Sequence, residues 1–554
     1  MRQLHPRRAP LAALALALAA CAPSLNNAPL KPTARAAEPA AVSAEAALWA
    51  DEAFRDAQPQ PGPIAEFSPP ELAPYTLSNG VTVYAVSSAP LPTVSLSLSF
   101  DVGAVAEPAA KLGVTSLCLD LLDEGTRALD RAAFEARQAD HAVSVWSSAG
   151  DDTASVNLRS LDNSFDDAFA LMAEMMLEPG LRRADLERLR AQRKADLEQS
   201  RGSPSAISRR LFPALLWGPE HPRGRLVTEK TLDAVRLSDC RRIARRLTPK
   251  GARLYLSGDP DQAALELAFQ THMPRWGGEP PSVPVVPPPA PRVGAIYLVD
   301  APGAAQSVIT LGAPGPARSA EDYTATAVMA RILGGSFSSR INMNLREDKG
   351  FAYGGRASFS YSREGGYLRA GASVRTDATA DALRELAAEL AGIHTRPPTE
   401  VELSRERDGA LLALPARFAT ASSTLSAVRG LAFHGLPLDW YEGHQRALRR
   451  LDTDALAAAA SAHVPRSDYV ILVVGDAAVV RPGLEALARE GLLGARAVVE
   501  LDADGQPPTP DATSETSPAK IPSRLPAKST AKPTAKPTSS DSRPSTSQDD
   551  EPED

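Results

Sequence analysis

Leu333–Gly354 reads LGGSFSSRINMNLREDKGFAYG. Its glycines at 334, 335, 350 and 354 permit sharp turns and close backbone approach. Arg346 and Tyr353 stand seven residues apart within it. A guanidinium presents a planar fork of donors to peptide carbonyls, and a phenol can donate to a developing oxyanion. The competing reading pairs Arg346 with Glu347 or Asp348 and puts Tyr353 in the core.

Working outward, the flanking pattern predicts strands at Ala295–Val299 and Ser307–Leu311, a helix at Ala320–Leu333, and strands at Phe351–Ser362 and Tyr367–Val374. Helices follow at Ala378–Ile393 and Thr399–Leu414, then a strand at Tyr469–Val474 before Gly475-Asp476. The same order stands upstream. Tyr75–Val86 alternates around an Asn79-Gly80 turn, a hairpin signal, and Thr93–Val102 alternates again. Helices are expected at Leu112–Leu122, Arg131–Ala139, from an Asn163 or Ser164 cap through Met176, and at Ala184–Ser200. Asp152–Leu161 and Arg253–Ser257 read as strands, the latter running into Gly258-Asp259. Between the copies, Gly277–Val293 (GGEPPSVPVVPPPAPRV) reads as a semi-rigid linker. Two copies of an α+β unit fit this order better than one large domain.

The motif closely resembles the second-domain signature of pitrilysin/insulinase-type zinc metallopeptidases, L-G-G-[GS]-x-x-S-[RP]-L-x-x-x-L-R-E-x-x-G-L-[AS]-Y, and the resemblance covers about residues 75–500. It implies two homologous repeats, each a mainly antiparallel sheet with helices packed on one face, as in the mitochondrial processing peptidase. It also implies that Arg346 and Tyr353 contact substrate backbone across a cavity from zinc held on another domain. Leu112–Thr126, LGVTSLCLDLLDEGT, resembles the family's zinc-bearing helix, whose usual form is G-[LIVA]-[AS]-H-x-x-E-H-[LIVM]-x-F-x-G-T. There the histidine positions hold Ser116 and Asp120, the catalytic glutamate position holds Leu119, and Asp123 replaces phenylalanine. Counting back from Pro204 places the third ligand position at Asp196. Zinc chemistry needs two imidazoles four apart with a carboxylate base between them. Two short carboxylates and a serine fall below what even a hard cation demands. The eight histidines include no pair at helical ligand spacing. His221-Pro222 looks structural, and His434 and His463 read as surface or capping groups. The arginine-rich helix LERLRAQRKADLEQSR reads as a solvated face with i,i+4 pairs.

The chain has 554 residues, 43% hydrophobic and 23% charged, enough for two large domains and tails. Net charge is −7, and setting aside the leader's Arg2, Arg7 and Arg8 lowers it by three, to −10, against a nucleic-acid partner. Leu11–Ala20 is too short to span a bilayer. Leu18-Ala19-Ala20-Cys21 resembles a bacterial lipoprotein cleavage box, which implies a lipid-modified Cys21, and Ala22 favours the outer membrane, facing the periplasm of a Gram-negative bacterium. The alternative is an ordinary secretory signal cut near Ala20. Cys118 is expected to fill the core as a free thiol, unpaired with Cys240, although spacing cannot settle pairing.

The organisation expected is a lipoprotein signal peptide (1–21), a disordered tether (22–70) with an amphipathic patch at Ala44–Phe54, and a first peptidase-like domain without its zinc motif (71–276). The linker (277–293), a second domain with the Arg/Tyr motif (294–503) and a disordered tail (504–554) complete it. The resemblance implies a non-catalytic, substrate-positioning subunit of a heterodimeric zinc metallopeptidase that degrades peptides in an enclosed chamber. No cofactor is expected in this chain. Zinc would sit in a partner of the same family carrying HxxEH, and no peptidase activity is expected from the chain alone. The alternative is an inactive peptide-binding or scaffold lipoprotein of the same fold; an independent metallopeptidase is the third reading.

Overall fold

The structure is a computed structural model and describes residues 62–87 and 92–508. Cys21 and its cleavage box, the Ala44–Phe54 patch and residues 509–554 of the expected tail lie outside the described residues. The described ends are more ordered than expected: Asp504, placed in the tail, pairs with Arg201 and Arg210, and Phe67, placed in the tether, exchanges hydrogen bonds with Gln445.

Two six-stranded sheets organise the chain. The first contains β1 (Tyr75–Thr76), β2 (Thr82–Val86), β3 (Thr93–Phe100), β4 (Ser144–Ala149), β5 (Ala154–Leu161) and β6 (Arg253–Ser257), in the order β1-β2-β6-β3-β5-β4. The second contains β7 (Ala295–Asp300), β8 (Gln306–Gly315), β9 (Ala352–Tyr361), β10 (Gly366–Arg375), β11 (Val470–Gly475) and β12 (Ala497–Leu501), in the order β12-β7-β11-β8-β10-β9. Both are mainly antiparallel, with parallel pairs at β2–β6, β7–β11 and β7–β12. The fold is α+β with two mixed sheets carrying helices.

Alternation explains the first core. Val94, Leu96, Leu98 and Phe100 of β3 are buried on one face, against Phe169, Met172 and Met176 of the helix Phe165–Leu177. Full burial of each such side chain contributes about 1.5–3 kcal/mol. Asn163 and Ser164 do not cap that helix through their side chains. The chain makes a 3₁₀ turn at Asp162–Ser164 first, which uses up the capping position. The helix expected over Ala320–Leu333 is α-helical only at Tyr323–Ala330 and widens into a π-turn at Arg331–Gly335.

Helices do not keep to one face of each sheet. β11, VILVVG, is buried throughout. Ile471 and Val473 face the helices of their own half, while Val470, Leu472 and Val474 lie under Ile207, Leu211 and Leu215 of the helix Pro204–Trp217 from the first half. Reciprocally, Leu425 and Val428 of the helix Ala421–His434 cover Tyr255, with Tyr84 and Val86 beside them, on the first sheet. A strand covered on both faces reads as a continuous apolar run, as β11 does. Ser208 and Thr310 share a buried 2.9 Å hydrogen bond across this joint.

Cys118 and Cys240 form a disulfide, contrary to the expectation of free thiols. Both are buried, on the adjacent helices Val114–Leu122 and Leu237–Ala244, with Cα atoms 4.8 Å apart. The 122-residue separation hid this neighbourhood from the sequence. In the chain-entropy picture, closing so long a loop contributes about 5 kcal/mol.

Candidate functional site

The motif Leu333–Gly354 covers the edge of the second sheet. A Cβ on Gly334 would sit 2.1 Å from the Ala357 nitrogen, so only glycine lets this turn lie against β9. Asn342 completes the seal: the Gly355 N–H donates to its Oδ1 at 3.2 Å, and its Nδ2 donates to the Phe337 carbonyl at 2.6 Å. Arg340 grips Glu402 with Nε and Nη2, each at 2.7 Å. Burial works against ionisation of Glu402, but this fork and the Thr399 N–H outweigh it and hold its pKa at about 2.

A second π-turn, Met343–Asp348, carries Arg346; such widened turns recur at functional sites. Its guanidinium lies between two rings, 4.9 Å from the centroids of Phe337 and Tyr353. Its Nε also pairs with Glu347 Oε1 at 3.0 Å. Tyr353 is 86% exposed and Phe337 63%, so neither ring is core. The two motif residues are therefore together, at a cavity of about 910 Å³. The parts of β8, β9 and β10 left uncovered by the helix Pro204–Trp217 form its floor, and Ser205 and Arg209 of that helix form one wall.

The corresponding region of the first half is closed. Ser116 Oγ donates to the Gly113 carbonyl at 3.2 Å. Leu119 is buried, and its carbonyl accepts from Ser147 Oγ at 2.9 Å. Asp120 accepts from Arg193 Nε at 3.1 Å. Asp196 is exposed; the side chain of its helix that meets Asp120 is Arg193, three residues earlier. Glu124 pairs with Arg188 beside them. A fixed guanidinium thus neutralises the carboxylate at the second histidine position. Among the described residues no group of three or more His, Cys, Asp or Glu is assembled to hold a metal. These side chains do not fit zinc: no imidazole is present and Asp120 is spent in an ion pair with Arg193. Asp123 accepts from the Ser147 N–H at 2.8 Å, and burial pushes its pKa up to about 7, against that hydrogen bond.

The arginine-rich helix differs from its expected solvated face. Arg183 makes an i,i+4 pair with Glu187, but Arg188, Arg190, Arg193 and Lys194 reach across to other elements. Arg201 pairs with Glu198 in its own helix, but Glu124, Asp120 and Asp233 outside it take Arg188, Arg193 and Lys194. His221 accepts from the Arg223 N–H and stacks on Trp217, a structural role. His463 bonds Asp322 at a helix end, and His434 packs against Phe433. Arg209, Arg356 and Arg369 also line the cavity and were not singled out from sequence. The alternation of β9 and β10 puts Arg356 and Arg369 on one face, but nothing local marked Arg209.

Residues 82–219 match the family described as insulinase (peptidase family M16), and residues 242–409 match the peptidase M16 inactive domain. The non-peptidase homologue YmxG of Helicobacter pylori is 22% identical over 396 residues, covering 70% of this chain and 90% of that protein. An uncharacterised zinc protease of Mycobacterium leprae is 25% identical over 337 residues, 59% of this chain and 74% of that one. In structure, the chain is similar to a peptidase M16 inactive domain from Pseudomonas fluorescens, with a TM-score of 0.67 and 22% identity, covering 73% of this chain and 98% of the other. A protease from Helicobacter pylori gives a TM-score of 0.63 at 17% identity, covering 73% and 99%.

Proposed function

Since the chain belongs to the insulinase (peptidase M16) family, we propose that it is the non-catalytic, substrate-positioning subunit of a two-chain zinc peptidase. The zinc, its water and the general base would come from a partner carrying HxxEH, facing this cavity across an enclosed chamber. One observation carries the reading: Tyr353 stands exposed at a cavity mouth, with Arg346 half-buried beside it, on a motif braced by Gly334, Asn342 and the Arg340–Glu402 pair. A tyrosine kept for packing would be buried, and Tyr353 is not. From there Arg346 can donate to a peptide carbonyl. The Tyr353 hydroxyl can donate to the oxygen that gains charge when that carbonyl is attacked. The name of the Helicobacter relative, a non-peptidase homologue, supports the loss of independent activity.

The second reading, an inactive peptide-binding or scaffold lipoprotein, draws on the Arg346–Glu347 pair, which already occupies one guanidinium nitrogen. Co-purification with a zinc-bearing partner followed by a peptidase assay separates the two. The first reading expects no turnover from this chain, turnover from the pair, and a loss of about tenfold or more with Arg346→Ala or Tyr353→Phe. Full activity of both variants in the pair would leave only the scaffold.

The proposed location is an outer-membrane lipoprotein anchored through Cys21 and facing the periplasm. The Cys118–Cys240 disulfide supports an oxidising compartment. Among the described residues no helix is long and apolar enough to cross a membrane. Metabolic labelling with palmitate checks the anchor; Cys21→Ser should abolish the label and release the protein from membranes.

A further inference from the structure

The cavity beneath Arg346 and Tyr353 has a one-sided charge. Arg209, Arg346, Arg356 and Arg369 line it, and no aspartate or glutamate does. About half of the other described arginines have acidic partners: Arg193 holds Asp120, Arg223 holds Asp152, and Arg340 holds Glu402. Arg210, next in sequence to Arg209, holds Asp504. Among the described residues, Arg209, Arg356 and Arg369 have no ion-pair partner. Arg369 rests over the Phe212 ring at 5.6 Å, and Arg209 and Arg356 are exposed. What distinguishes this concave site, in a chain of net charge −7, is that three such arginines line it together and no acid does. Low-dielectric walls focus the field of such a cleft and raise the local concentration of anions.

We infer that this cavity selects acidic peptide segments, with Arg209, Arg356 and Arg369 reading glutamate and aspartate side chains while Arg346 and Tyr353 meet the backbone. The inference rests on the peptide-positioning reading and names its substrate class. A peptide is favoured over a nucleic acid because the cations are confined to a pocket of about 910 Å³, the size of a small-ligand site, instead of spreading along a surface. The walls also offer Gln306, Ser336, Asn342 and Ser373, which suit peptide amides. Arg209 comes from the first half, so the pocket's charge requires both halves together.

The test uses the full chain and three fluorescein-labelled decapeptides, alternating Ser/Glu, Ser/Gln and Ser/Lys, with binding read by anisotropy. The Ser/Glu peptide should bind about tenfold more tightly than Ser/Gln, with Ser/Lys weakest, and the gap should narrow in high salt. Arg209→Gln and Arg356→Gln should each weaken Ser/Glu binding by about twofold to fivefold. Arg356→Lys should retain it, which separates charge from folding. Equal binding of Ser/Glu and Ser/Gln, or an undiminished preference in the triple Gln variant of Arg209, Arg356 and Arg369, overturns the inference. So does a decathymidylate that displaces the Ser/Glu peptide better than its unlabelled copy. If a zinc-bearing partner gives turnover with no preference for acidic peptides, the charge inference alone falls. If Ser/Glu binds selectively but no pairing yields turnover, the positioning role falls and the acidic site stands.

Discussion

The two sheets share one strand order but finish differently. β2, β6, β3, β5 and β4 correspond in order to β7, β11, β8, β10 and β9. The sixth strand of the first sheet is β1, paired antiparallel through a hairpin; in the second it is β12, which arrives parallel from the far end of the fold. At the opposite edges, side chains take up outward N–H groups, which blunts an open edge. On β4, Gln138 Oε1 accepts from Val145 and Asp123 Oδ1 from Ser147. On β9, Asn342 Oδ1 accepts from Gly355, and the Gly334 turn lies against Ala357. The first half thus closes its edge with an amide and an acid and pairs Asp120 and Glu124 with arginines, whereas the second closes with an amide and glycine and leaves its cationic face open. One scaffold has been divided into a stapled, neutralised half and an open, charged one.

Removing the staple should have the largest effect. Cys118→Ala with Cys240→Ala is expected to cost about 2–5 kcal/mol, measured by urea unfolding; a loss below about 1 kcal/mol would mean that packing alone holds these helices. Next comes the brace of the open half. Arg340→Ala leaves Glu402 partly buried without its partner and should cost about 3 kcal/mol. Because the folded pKa of Glu402 lies below its usual 4.5, its contribution is complete above that value and fades as pH falls towards 2. The variant should show a flatter pH dependence there. Asp123 has the opposite sign. Its folded pKa is raised from 3.8 to about 7, so its contribution is full below about 4 and lost as pH rises through 7. Asp123→Asn keeps an acceptor for the Ser147 N–H and should remove this slope, matching the parent at low pH and exceeding it above pH 7. The smallest effects on stability belong to the cavity mouth. Arg346→Ala and Tyr353→Phe should stay within about 0.5 kcal/mol of the parent in thermal unfolding; a larger loss would give them a packing role.

Much of this was written locally. The alternation of β3 and the all-apolar β11 announce their strands, and the spacing of Gly334, Arg346 and Tyr353 marks the open half. The missing imidazoles at Ser116 and Asp120 are equally plain. Pairing over long distances was not legible. Cys118 and Cys240 meet only because two helices pack, and no local signal announced that Arg193 would reach Asp120. Arg209 reaches the cavity through a helix that crosses to the other sheet, an arrangement with no local signature. The exposure of Tyr353 also depends on where the motif's turn comes to rest, which its aromatic character does not specify.

The crossing helices have a practical consequence. Pro204–Trp217 precedes the linker in sequence yet shields the sheet that follows it, and Ala421–His434 does the reverse. The linker is itself tied to the first of these helices, since Ala290 and Arg292 donate to the carbonyls of Trp217 and Leu215. A protease that nicks this chain between residues 277 and 289 would cut the thread without parting the cloth. The fragments should migrate together under native conditions and come apart only in denaturant. Either fragment expressed alone would present a bare apolar sheet face to water and should aggregate until its counterpart is supplied.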